Sequence, residues 1–117
     1  MNENYIRTTI VYGNLFWDFY NAQTTEVQGK IDRVIGLVRT LPIIPLKFFK
    51  HLEGTDALYE IRVKVGSDIF RIFCCFDKGN LIILFNGFQK KSEKTPRQEI
   101  ERAEKLKQQY HESKKAK

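Results

Sequence analysis

Residues 58–90 read LYEIRVKVGSDIFRIFCCFDKGNLIILFNGFQK, and their periodicity decides the fold. From Leu58 the period is two: Tyr59, Ile61, Val63 and Val65 alternate with Glu60, Arg62 and Lys64. This marks a strand with one apolar and one charged face. Gly66, Ser67 and Asp68 supply a turn. Residues 69–76 form a second strand in which Arg71 interrupts an otherwise apolar run. Asp77, Lys78, Gly79 and Asn80 make a hairpin turn. Residues 81–85 are apolar on both faces, as in a central strand covered on both sides. Asn86 and Gly87 loosen that strand, and residues 88–91 continue it outward.

Upstream of this meander, residues 5–12 are rich in β-branched and aromatic side chains and predict a first strand. Gly13 ends it. Asn14 then caps a short helix whose Leu15, Phe16, Phe19 and Tyr20 share a face. Thr25 and Gln28 fit a capping box for a second helix. Behind them Val27, Ile31, Val34, Ile35, Val38 and Leu41 recur at helical spacing. Pro42 and Pro45 stop this helix, and a loop is expected through Lys47 and His51. Downstream, Thr95, Pro96 and Gln98 announce a charged helix running to about Tyr110. Its Ile100, Ala103 and Leu106 give a narrow apolar stripe.

The predicted class is therefore α+β: a strand, two helices, a three-stranded meander and a C-terminal helix. The economical arrangement is a compact antiparallel sheet with the helices on one face and the first strand at an edge. The chain has 117 residues, 42% of them apolar, which suits one core rather than two. One domain is expected over residues 1–112, followed by a short basic tail, 113–117, expected to fray. No apolar stretch is long enough to span a bilayer. Residues 1–4 lack the features of a signal peptide, so the cytoplasm is the expected location and no membrane partner is expected.

The net charge is +6. Fourteen of the twenty Lys and Arg residues lie in residues 58–117 against eight of the fourteen acids, so this half carries the whole excess. Such one-sidedness fits a polyanionic partner, nucleic acid or acidic protein; it fits a solvated, lysine-biased surface equally well. Cys74 and Cys75 are adjacent and so point to opposite faces of a strand. They are expected to be buried, reduced thiols rather than a disulfide. No Cys/His spacing suggests zinc, and His51 and His111 read as loop or solvated histidines.

One constellation has chemical promise. Arg62 and Lys64 share the polar face of one strand, Arg71 sits on its neighbour, and Lys90, Lys91 and Lys94 leave the end of the third. Strands lie about 5 Å apart, so these side chains can converge. Only Glu60 on that face offsets them. RNA cleavage needs a 2′-hydroxyl deprotonated, a pentacoordinate phosphate stabilised and a 5′-oxygen protonated. Arginine forks hold phosphate, and a lysine crowded by cations is suited to proton transfer. Phe88 or Tyr59 would stack on a base, with Lys64 contacting the RNA. The plainer alternative pairs Glu60 with Arg62 or Lys64 as surface decoration. Arg71, set in a strand this apolar, calls for a partner.

Three stretches, LEGTDALYEIRVK (52–64), IFRIF (69–73) and GFQKKSEKTPRQEI (87–100), together resemble the Gp49-like/HigB-like branch of the RelE/ParE toxin superfamily. The resemblance covers roughly residues 50–110. It implies a RelE-like, microbial-ribonuclease type of fold. It also implies the toxin of a type II toxin–antitoxin module, a ribosome-dependent endoribonuclease that cuts translated mRNA without metal or cofactor. The implied partners are mRNA, the ribosome and a cognate antitoxin, usually a helix-turn-helix protein of the Xre type. Arg62 and Arg71 match the family's strand arginines, with phosphate binding as their implied role. Lys90, Lys91 and Lys94 match its K-K-x-x-K stretch, with proton transfer or phosphate contact implied. Where several relatives carry a tyrosine or histidine for proton transfer, this sequence has Lys94 and Thr95. Two alternatives therefore stay open: an inactive relative that only binds its antitoxin, and a ParE-like gyrase inhibitor on the same fold.

Overall fold

The computed structural model describes residues 5–115. The readings placed on residues 1–4 and on 116–117 lie outside the described residues. The elements in chain order are β1 (Thr8–Val11), α1 (Leu15–Asn21), α2 (Thr25–Thr40), β2 (Phe49–His51), β3 (Tyr59–Val65), β4 (Asp68–Phe76), β5 (Leu81–Lys90) and α3 (Arg97–Lys115). The five strands form one sheet in the order β1-β5-β4-β3-β2. This is an α+β arrangement, and the meander of β3, β4 and β5 pairs antiparallel as the period-two reading predicts.

Three expectations are corrected. The sheet is mixed, because β1 runs parallel to β5, with Thr8 opposite Leu81 and Val11 opposite Leu84. β1 is also shorter than residues 5–12. The backbone N–H groups of Ile6 and Arg7 both donate to the carbonyl of Arg39, and Arg7 Nη1 donates to Val38 O and Leu41 O at 2.9 and 2.7 Å. Residues 6 and 7 thus satisfy the open carbonyls at the end of α2 instead of extending the ladder. Second, the expected loop before residue 52 contains a fifth strand: Phe49, Lys50 and His51 pair with Ile61, Glu60 and Tyr59. Third, the helices do not share a face. α1 and α2 bury Phe16, Phe19, Ile31, Val34 and Val38 against Ile61, Val63, Ile72, Cys74, Ile82 and Leu84. α3 lies on the opposite face, its Ala103 and Tyr110 packed with Leu58, Phe73, Cys75, Ile83 and Phe85. Coverage on both sides is what the doubly apolar run 81–85 requires.

Helix ends also differ in detail. The N-cap of α2 is Thr24, whose side chain accepts from Val27 N at 3.2 Å. Gln28 does not close a box; its amide donates to Tyr20 O and ties α2 back to α1. Asn14 is the N-cap of α1 by position, without a side-chain bond. In α3 the Pro96 carbonyl accepts from Ile100 N at 3.3 Å, and the helix continues through Lys115, so Ser113, Lys114 and Lys115 are helical. The extension has a cause. Tyr110 Oη donates to Asp77 Oδ2 at 2.6 Å, and Lys114 Nζ reaches the same oxygen.

A bulge decides which way the end of β5 faces. Phe73 pairs with Asn86, but the next residue, Cys74, pairs with Leu84, so Phe85 is extra. One inserted residue puts two consecutive side chains, Phe85 and Asn86, on the α3 face and re-phases everything beyond them. Phe88 and Lys90 therefore share the face of Arg71. Gly87 falls on the other side, where α1 presses against it. A Cβ at Gly87 would lie 2.4 Å from the ring of Phe19. Among the described residues no helix is long and apolar enough to cross a membrane.

Candidate active site

α3 covers only part of its face. The rest is polar and is read row by row from the register. Lys50, Glu60, Phe73 and Asn86 form one row across β2, β3, β4 and β5. Arg62, Arg71 and Phe88 form the next. Lys64, Ile69 and Lys90 form the third. The boundary with the core runs through the first two rows, where Phe73 and Phe88 pack edge to face at 5.2 Å.

Arg62 and Arg71 are directly paired across β3 and β4, an arrangement that repels unless something intervenes. Glu60 intervenes. Its Oε1 lies 3.6 Å from Arg71 Nε and its Oε2 lies 3.2 Å from Arg62 Nε. Glu60 and Arg71 are 6% and 7% exposed, so this is a buried group of two cations and one anion. Arg71 thus finds the partner its apolar strand demands. Burial lowers the pKa of Arg71; Glu60 opposes that shift and Arg62 adds to it. A guanidinium starts so high that it stays charged.

Arg62 is the accessible member, with 27% of its side chain exposed. Its Nη1 donates to Leu46 O at 3.2 Å, in the loop where Pro45 O also accepts from Phe48 N and Phe49 N. The prolines that end α2 thus shape a loop that fixes one edge of the guanidinium. Arg71 Nη1 donates to Phe70 O at 3.2 Å. Among the described residues neither the Nη2 nor the buried Nε of either arginine has a hydrogen-bond partner, so the contacts of the two Nε atoms with Glu60 are ion pairs rather than aligned hydrogen bonds. Above the group lies an open groove of about 320 Å³, lined by Lys50, Glu60, Arg62, Lys90, Glu93 and Thr95 among others.

The other candidates separate into distinct places. Lys90 is half-buried and lines this groove. It also lines a neighbouring hollow with Lys91 and Gln89. Lys91 and Lys94 are exposed on the connection from β5 to α3. Lys64 is exposed and lies nearer α2, in a hollow with Lys30 and Arg33. Phe88 is on the right face but 8% exposed, part of the core under α3 rather than a free platform. Tyr59 faces the opposite side of the sheet, stacked on Phe49 at 5.1 Å. Tyr110 is committed to Asp77. Burial first, then that hydrogen bond, pushes its hydroxyl up to about 12.

Two residues escaped the sequence reading. Lys50 falls in the stretch expected to be a loop, yet it stands opposite Glu60 at the groove's edge. The F-K-H triplet alternates in the same sense as β3, but three residues are too few to establish a period. Asn86 is 1% exposed, and its Nδ2 donates to both Glu99 O and Glu99 Oε1 at 3.1 Å. It anchors the first turn of α3 and so sets where the covered half of the face ends. The cysteines are free and buried, Cys74 donating to Tyr59 O. Burial pushes Cys75 up to about 11 and Cys74 well upward too, so both remain thiols. Among the described residues no group of three or more His, Cys, Asp and Glu is placed to hold a metal ion.

A family model described as "Phage derived protein Gp49-like (DUF891)" matches residues 18–108, most of the chain, including every residue that lines the groove. No curated protein matches the chain. The chain belongs to the Gp49-like family, the RelE/HigB-like branch of toxins.

Proposed function

We propose that this Gp49-like chain is the toxin of a type II toxin–antitoxin pair, and that it is a ribosome-dependent endoribonuclease with a RelE-like, microbial-ribonuclease type of fold. One observation carries the reading: two arginines paired across adjacent strands share a single buried carboxylate beneath an open groove with lysines at its rim. Cations gathered with so little compensation favour an anion among them.

The chemistry follows from position. Arg62 presents a free edge to the groove and binds the scissile phosphate. Arg71 adds its charge from beneath, where the low dielectric makes it count for more as the phosphorane gains charge. Lys90, within the groove, handles proton transfer with the 2′-hydroxyl or the leaving 5′-oxygen. Lys91 and Lys94, on the exposed connection, contact flanking phosphates, and Lys64 extends the same track toward α2. The cut proceeds without a cofactor. The substrate is mRNA held on the ribosome in the cytoplasm. The partner that restrains the toxin is a cognate antitoxin of the helix-turn-helix, Xre type.

One observation favours a second reading, a relative that only binds its antitoxin. Among the described residues no tyrosine lines the groove, and the helix tyrosine, Tyr110, is bound to Asp77 some 20 Å along α3 from its start. Induced expression in a bacterial host separates the two, with growth and mRNA integrity followed together for wild type, Arg62→Ala and Arg71→Ala. Arrest with codon-phased cuts, lost in both variants, is the expected result. Arrest with intact mRNA would point to gyrase or another target, and soluble protein without arrest would favour the binding-only reading.

A further inference from the structure

We propose that Glu60 is the positioning residue of the phosphate site: it holds the Arg62 guanidinium by one edge so that the other faces the groove. The inference rests on the reading of that groove as a phosphate site.

The geometry separates Glu60 from the two other roles open to a carboxylate. A general base needs a carboxylate directed at the substrate, but each Glu60 oxygen sits in an ion pair with an arginine, Oε1 with Arg71 and Oε2 with Arg62. Surface decoration would leave Glu60 solvated, but it is 6% exposed. What remains is a clamp. Arg62 is held at Nε by its ion pair with Glu60, without an aligned hydrogen bond, and at Nη1 by a hydrogen bond to the Leu46 carbonyl, and Nη2 is left over. Glu60 is itself gripped by Arg71, which cannot move far because its Nη1 is tied to Phe70 O. Two arginines paired directly across strands would otherwise splay apart. The carboxylate therefore does two opposing things. It orients Arg62, which helps the transition state, and it competes with phosphate for the same cation, which weakens ground-state binding.

That opposition yields a signature that a purely structural residue lacks. In Glu60→Gln, Arg62 is freed from its competitor, so inorganic phosphate binds more tightly while cleavage slows. Thermal unfolding is measured in phosphate and in chloride at matched ionic strength, beside RNA cleavage on programmed ribosomes. The phosphate-induced rise in Tm is expected to be about 4 °C or more larger in Glu60→Gln than in wild type. kcat is expected to fall about 100-fold, the scale of a misplaced catalytic group. Because Glu60 acts through Arg62, adding Glu60→Gln to Arg62→Ala is expected to cost less than about 3-fold more, and to restore no phosphate effect.

An unchanged or smaller phosphate shift in Glu60→Gln overturns the assignment, as does an undiminished kcat. If Glu60→Gln folds only when phosphate is present, that is the same effect in its extreme form. If it folds in neither buffer, Glu60→Asp decides: charge is kept but reach is shortened, so a lower kcat with a near-wild-type phosphate shift is expected, and an unchanged kcat refutes. Failure of the nuclease reading looks different. Wild type then cuts no RNA, yet the phosphate shift still grows in Glu60→Gln and vanishes in Arg62→Ala.

Discussion

The two faces of the sheet are built from the same strands and do opposite work. The face under α1 and α2 is closed and apolar, with Ile31, Val34, Ile61, Ile72 and Ile82 excluded from solvent. The other face is divided. α3 seals the half that holds Phe73, Cys75, Ile83 and Phe85, and leaves open the half that holds Glu60, Arg62, Lys64 and Lys90. The closed face can stabilise the fold by burial alone, which lets the open half gather cations around a single carboxylate. Substitutions should therefore divide by face: those on the open half should alter chemistry, and those on the closed face and under α3 should alter stability.

Arg62→Ala should show the largest effect. Removing a charge-stabilising donor costs about 100- to 1,000-fold in rate, about 3–4 kcal/mol of transition-state stabilisation. Because Arg62 is partly exposed, its Tm should move little. Measuring cleavage and thermal unfolding on one preparation checks both halves of the statement. A large loss of Tm with proportionate loss of activity would break the division between the faces.

Next in size is Tyr110→Phe, under α3. It removes a hydrogen bond to a carboxylate, about 1.5–3 kcal/mol, and cleavage per folded molecule should be unchanged. The pH dependence of stability should change with it. The Lys114 bond, then the Tyr110 bond, hold Asp77 well below the usual carboxylate range, with burial opposing them. A depressed folded pKa gives stability that is fully present above the unfolded value near 4, and is lost as pH falls below it. Tyr110 itself is raised, so its contribution is present below about pH 10 and fades as pH climbs toward about 12. Urea unfolding from pH 3 to pH 7 should show a shallower acid-side decline in Tyr110→Phe. An unaltered slope would mean that Lys114 alone sets Asp77.

Gly87→Ala tests the closed face where it touches the strand that carries Lys90. The added methyl meets Phe19, and forcing α1 outward should cost about 1–3 kcal/mol. Cleavage measured well below the transition should stay near wild type, since the glycine points away from the groove. A strong loss of activity in folded protein would show that α1 and the site are coupled through β5.

Much of this division was legible in the amino-acid order, and what was hidden shares a cause. β3, β4 and β5, the course of α2 and the need of Arg71 for a partner follow from local period and burial logic. β2 was not visible because three residues carry no measurable alternation. The parallel direction of β1 depends on which strand it meets, and nothing within residues 8–11 encodes that. Tyr59 joins the wrong face for the site, as its own alternation with Glu60 and Arg62 already implied. The bulge at Phe85 lies between two residues that read as one continuous strand. Without it Lys90 would point at α1 and α2, so the composition of the open half turns on a single extra residue.

The smallest effect separates two neighbouring threonines. Residues 25–28 fit a capping box on paper, but the hydroxyl that accepts from Val27 N belongs to Thr24, and Thr25 is already inside the helix. Thr24 has the extended backbone that lets a side chain fold back over the first turn; a residue with helical dihedrals has its side chain directed outward. Thr24→Ala should therefore cost about 1 kcal/mol, whereas Thr25→Ala should be within about 0.5 kcal/mol of wild type. Both lie on the closed side, so neither should change cleavage. Paired urea titrations of the two variants resolve the difference. Equal losses would mean that the first turn of α2 can shift by one residue and recruit either hydroxyl, and a loss larger at Thr25 would place the start of the helix one residue later.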